Sequence, residues 1–179
     1  PRPKALLIAS AHWETDIPAL TAGTKPETIH DFYGFPQPLY QIQYPAPGAP
    51  EVALRAIQLL VKENLKAVAD TQRGLDHGAW SPLLYMYPAA DVPVAQVSVH
   101  TGLGPRHHVD LGRALAPLAG EGVLVIGSGH MTHNLRERRD GPAAGYVREF
   151  QDWVKQRIDA HDLESLAAAR RSLEQGRAV

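Results

Sequence analysis

The sequence predicts an α/β fold, a single layered domain with a mostly parallel central sheet flanked by helices and an active site at the carboxyl ends of the strands. Three observations carry this. Short apolar runs recur along the chain, stretches of helical periodicity separate them, and histidines fall just beyond the runs.

The runs are Ala5–Ala9, Ala67–Ala69 after Leu65, Val92–Val99 and Val123–Ile126, each read as a strand. Behind Pro50, a residue favoured at helix starts, Val52, Ala56, Leu59 and Leu60 recur at helical spacing and predict a helix over Glu51–Glu63. Val109, Leu111, Leu115 and Leu118 predict a second over His107–Ala119. A third, over Ala143–Ile158, has Tyr146, Val147, Phe150, Trp153, Val154 and Ile158 as its stripe, and Asp162–Gln175 reads as a helix with a weak apolar face. Between Thr15 and Pro50, prolines interrupt every regular pattern while Phe32, Tyr33, Phe35, Tyr40 and Tyr44 supply aromatic mass. That combination predicts an ordered, functional loop, because a disordered linker is poor in aromatics.

Composition narrows the function classes. The 179 residues suit one domain that buries a core without staples. Lys plus Arg (18) nearly balances Asp plus Glu (19), so there is no broad basic field for nucleic acid. No apolar run approaches the roughly 20 residues of a membrane span. The absence of cysteine excludes disulfides and thiolate chemistry, and suits a reducing, cytoplasmic compartment. No export signal is visible before Ser10. The missing initiator Met and the abrupt end at Val179 suggest a chain trimmed at both ends.

Histidine must therefore carry any soft-ligand or acid–base chemistry. His12 follows the first run, His77 the second, His100 ends the third, and His130 and His133 follow the fourth. If these strands are parallel, the loops at their carboxyl ends form one crevice, and imidazoles gathered there can ligate a first-row metal or transfer protons near neutral pH. A lone histidine past a strand is more often a satisfied loop residue, but His12, His77 and His133 together favour function. His100 reads as structural, and His130 as either a site residue or a loop residue. His107, His108 and His161 read as solvated, and His30 as either a pocket wall or a packed loop residue. Other motifs are weak. Thr101-Gly102-Leu103-Gly104 lacks the third glycine of a dinucleotide fingerprint, and Ser128 sits one residue too early for a nucleophile elbow.

Several blocks resemble one family: Ser10-Ala11-His12-Trp13-Glu14-Thr15, Thr28-Ile29-His30-Asp31-Phe32-Tyr33-Gly34-Phe35-Pro36, Tyr44-Pro45-Ala46-Pro47-Gly48, Leu75-Asp76-His77-Gly78-Ala79-Trp80, Met86-Tyr87-Pro88 and Thr132-His133-Asn134-Leu135. They are similar to the signature blocks of the class III extradiol ring-cleavage dioxygenases, the LigB-like 4,5-DOPA dioxygenase family. The resemblance implies a non-haem Fe(II) centre, with zinc in its place in some relatives, acting on a catechol and O2. It implies His12 as a metal ligand, His133 as the acid–base group, and His77 as a catalytic histidine orienting bound oxygen. His30, Asp31, Phe32 and Tyr33 are implied as ring-pocket residues. Two family segments, His-Gly-Ser-Pro and His-Pro-x-x-Glu-His, are not found here, which suggests a catalytic domain lacking an N-terminal strand and a C-terminal segment. The alternatives from other classes are a zinc hydrolase built on His12, His77, His130 and His133, and a non-enzymatic metal or small-molecule binding module.

Overall fold

The computed structural model describes residues 2–132 and 144–169. Its five-stranded sheet has the order β3-β2-β4-β1-β5, from β1 (Ala5–Glu14), β2 (Ala19–Thr21), β3 (Val68–Asp70), β4 (Val94–Val99) and β5 (Val123–Ser128). β1 lies parallel to both β4 and β5, and β2 parallel to β3. The antiparallel contact is between β2 and β4, at Leu20 and Val97. The fold is thus α/β with a mostly parallel sheet.

Strand β1 shows why this sheet has two covered faces. Alternation sends Ala5 and Leu7 to one side and Leu6 and Ile8 to the other, and all are buried. The first side packs against α1 (Pro50–Lys62), the inner face of α3 (Gly104–Leu115) and the short α4 (Pro117–Gly120) through Ala53, Ala56, Leu60, Leu115 and Leu118. The second packs against α2 (His77–Met86), through Ala79, Trp80 and Leu83, and against Tyr44 from the proline-rich segment.

Some elements depart from the sequence pattern. The stretch expected as one helix over His107–Ala119 starts at Gly104 and divides at Ala116, because Pro117 cannot donate the hydrogen bond that would continue α3 and instead opens α4. The proline-rich segment contains the buried strand β2 and a 3-10 helix over Gln37–Gln41. Helix α2 had no counterpart in the periodicity.

The chain divides into two compact units, Pro1–Gly102 with Leu111–Gly129, and Leu103–Asp110 with His130–Val179. The first holds the whole sheet. In the second, α5 (Gly145–Asp159) stacks Phe150 on Trp153, and α6 (Leu163–Ala167) is capped by Asp162, which accepts from the Ser165 backbone N–H. No helix among the described residues is long and apolar enough to cross a membrane.

Candidate metal centre

The site begins where β1 stops behaving as a regular strand. Pairing with β5 runs to Ser10 opposite Ser128, and pairing with β4 slips between Ala9 and Glu14. Within that slip Trp13 is buried under the Arg73 guanidinium, 5.3 Å from its ring, and His12 points outward, exposed. Bulges of this kind re-aim side chains at the ends of strands. His12 therefore lies inside an irregular extension of β1, where the sequence placed it just beyond the strand.

His77 is the first residue of α2, and α2 packs on β1. Its helix start is fixed by Asp76, whose carboxylate accepts from the Ala79 N–H (3.1 Å), the Ser10 hydroxyl (2.6 Å), Gln96 Nε2 (2.6 Å) and Arg73 Nη2 (3.4 Å). Asp76, Ser10 and Gln96 are fully buried. Burying these groups is tolerable because each hydrogen-bonds another. A second device acts one residue on. Pro82 inside α2 has no N–H for the Gly78 carbonyl, and the Ser128 hydroxyl at the end of β5 donates to that carbonyl instead (2.5 Å). Gly78 also sits where a Cβ would lie 2.3 Å from Ser10 Oγ and 3.0 Å from His12, so only glycine lets α2 approach β1 this closely.

The result brings His12 and His77 together with ring centroids 4.0 Å apart. Asp31, from the proline-rich segment, completes the group. Its Oδ1 accepts from both the backbone N–H (2.9 Å) and Nδ1 (2.8 Å) of His77, and its Oδ2 lies 3.8 Å from His12 Nδ1. Burial pushes the Asp31 carboxyl up, but the two hydrogen bonds from His77 outweigh this and hold it below the usual carboxylate range. As an ionised acceptor it fixes the proton of His77 on Nδ1 and leaves Nε2 as the basic nitrogen. Ligand-type atoms of His12, Asp31 and His77 all lie within 4.8 Å of one another. Two imidazoles and a carboxylate are donors that suit a first-row divalent cation, so the residues present fit a metal.

The other sequence candidates divide. Phe32 meets the His77 ring edge-on at 5.5 Å and lines a cavity of about 300 Å³ beside it, with Phe35, Trp80, Leu84 and others. His30 is bound to the Ile42 carbonyl through Nε2 (2.8 Å) and packs against Phe32 and Trp80, outside the cavity lining. Tyr33 is 90% exposed and also outside it. His100 closes β4 and accepts the Gly102 N–H at Nδ1, and it is not in the three-residue group. His133 lies outside the described residues. The hydrogen-bonded support of Ser10, Asp76, Gln96 and Ser128 was not read from the sequence. The signal available was Asp76 immediately before His77, at a helix start.

The fold and site together define an α/β protein with a histidine–carboxylate–histidine group, able to hold a metal, at the carboxyl end of its first strand. Residues 1–177 match the family described as the catalytic LigB subunit of aromatic ring-opening dioxygenase, and the chain belongs to that family. It is 56% identical over 157 residues to a 4,5-DOPA dioxygenase extradiol of Beta vulgaris, covering 86% of this chain and 59% of that protein. It is 42% identical over 159 residues to one of Escherichia coli (strain K12), covering 87% and 58%. The crystal structure of an uncharacterized protein from Escherichia coli K12 superposes with a TM-score of 0.72 at 34% identity, covering 88% of this chain and 60% of that one. The chain thus spans about three-fifths of the length of these relatives.

Proposed function

We propose that the protein containing this chain is an extradiol dioxygenase that opens a catecholic, DOPA-like ring with O2 at a non-haem Fe(II) centre, zinc being the alternative metal, to give a muconic semialdehyde. Both oxygen atoms enter the product as one ring C–C bond and the O–O bond break. The observation that carries this reading is the convergence of His12, Asp31 and His77 at the end of β1, within a chain of this family. The metal, when bound, supplies a template for the catechol oxygens and O2 and a path for electrons from ring to O2.

The chain's own residues have separable tasks. His12, aimed outward by the β1 bulge, ligates the metal. The Nδ1–H of His77 is already committed to Asp31, so this imidazole presents Nε2 to the substrate side, where it accepts or returns a proton and orients oxygen. Asp31 holds that tautomer and lends negative charge to the centre. Phe32 lies edge-on to His77 and provides an apolar wall for a planar ring. His133 is the acid–base partner by motif alone, taking a catechol proton and later returning one as the O–O bond breaks.

The test is anaerobic Fe(II) loading of the full-length polypeptide, then oxygen with DOPA, caffeate or protocatechuate. A yellow semialdehyde absorbance is expected, and no colour with any catechol despite bound iron overturns the reading. Variants separate the roles. His12→Ala should lower metal content at least tenfold, whereas His77→Ala, which leaves His12 and Asp31 as donors, should lose less metal than His12→Ala and lose turnover by about 100-fold or more. Elemental analysis alongside the assay distinguishes them.

A further inference from the structure

Each histidine of the metal-type group has a buried neighbour in the chain: Trp13 follows His12, and Asp76 precedes His77. One side chain touches both neighbours. The Arg73 guanidinium lies over the Trp13 ring, and its Nη2 donates to Asp76 Oδ2 (3.4 Å). Its Nε is buried and has no acceptor among the described residues, so Trp13 and Asp76 set where the group rests. The backbone beneath Arg73 is fixed as well. Asp70 Oδ1, at the end of β3, accepts the N–H groups of Gln72 (2.8 Å) and Arg73 (2.9 Å). Leu75 then donates to the Glu27 carbonyl (2.7 Å) and accepts from the Ile29 N–H (2.8 Å), which joins the loop to the segment carrying Asp31. By contrast, the stretch holding His12 takes little guidance from the sheet, because pairing with β5 ends at Ser10 and pairing with β4 slips between Ala9 and Glu14.

We infer that Arg73 is a positioning residue for the metal centre: by bracing Trp13 against Asp76 it sets the separation of His12 from His77, and with it the affinity for the cation. This rests on the reading of His12 and His77 as residues of a metal site. The contacts close a loop around His12. Its backbone N–H donates to Ser10 Oγ (3.1 Å), Ser10 donates to Asp76 Oδ1, and Arg73 returns from Asp76 Oδ2 to Trp13. A planar guanidinium lays one face on an indole while an edge N–H reaches a carboxylate, which the compact ammonium of lysine does not reproduce. Without the brace, Asp76 keeps Ser10, Gln96 and the α2 cap, so the helix start survives and the effect falls on the His12 side.

Two measurements test it. In the full-length polypeptide, Arg73→Lys and Arg73→Gln should each weaken Co(II) binding by about 10- to 100-fold, the range for groups that orient a metal ligand from behind. Both should shift the urea unfolding midpoint of the metal-free protein less than Asp76→Ala does. Trp13→Phe, which keeps a ring but a poorer one for a cation, should fall between the parent and Arg73→Gln in Co(II) affinity. Co(II) held as tightly by both Arg73 variants as by the parent overturns the inference and leaves the metal-site reading intact. Independently of metal, the imidazole ring-proton NMR shifts of His12 and His77, whose centroids are 4.0 Å apart, should both move in Arg73→Lys. Those of His30, bound to the Ile42 carbonyl, should stay. Unmoved His12 and His77 signals, or equal movement of all three histidines, overturn the inference. Unchanged Co(II) affinity in His12→Ala, with the two signals still moving in Arg73→Lys, overturns the metal-site reading but upholds the brace.

Discussion

The two sides of α2 that meet at His77 are built from opposite materials. On the inner side Asp76 and Gln96 are completely inaccessible, Ser10 likewise, and their polar atoms are joined by hydrogen bonds of 2.6–3.1 Å. On the outer side Phe35 is 56% exposed and Tyr85 89% exposed, and they border open space with no polar network. A buried network tolerates almost no displacement, because each member satisfies another and losing one strands its partners in a region of low dielectric. An open aromatic wall tolerates substitution, since its contacts are non-directional and half-solvated already. The difference assigns rigidity to the placement of His77 and latitude to what it faces.

The largest expected effect is therefore on the inner side. Asp76→Ala removes the acceptor for Ser10, Gln96, Arg73 and the α2 cap together, and should cost about 3–5 kcal/mol in urea unfolding. A loss below about 1 kcal/mol would break the comparison. Gly78→Ala comes next, at about 1–3 kcal/mol, because its Cβ must displace Ser10 or His12, and lowered metal affinity should accompany the lost stability. Ser128→Ala leaves the Gly78 carbonyl without its donor and should cost about 1–2 kcal/mol. On the outer side Phe35→Ala should change the unfolding midpoint by less than about 1 kcal/mol equivalent, with its effect falling on ligand affinity instead.

The smallest effect concerns pH. The Asp31 carboxyl is held below its ordinary 3.8 in the folded protein, so in acid the unfolded chain binds the extra proton first. Its contribution is complete above pH 3.8 and fades as pH falls through the lower folded value. Stability measured across that acid window should fall less steeply in Asp31→Asn than in the parent protein.

Much of the fold was legible because its signals are local. β1, β4 and β5 are apolar runs, and α1 carries a regular stripe behind Pro50. β2 was hidden because it is only three residues, Ala19, Leu20 and Thr21, lying between Pro18 and Pro26, and its pairing comes from β3 and β4. α2 was hidden because Pro82 interrupts it, an interruption made tolerable by Ser128, a residue from another strand.

The site divides in the same way. His12 and His77 can be picked out from the sequence because imidazole chemistry and the position of each residue after an apolar run are properties of the chain itself. Asp31 was assigned to a pocket wall, and its role as the acceptor that fixes His77 appears only once the proline-rich segment is folded against the start of α2. Which residues are candidates for the chemistry was thus legible in the sequence. Their partners, tautomer and support were decided by tertiary structure, because hydrogen bonds between groups 46 or 66 residues apart leave no periodic trace along the chain.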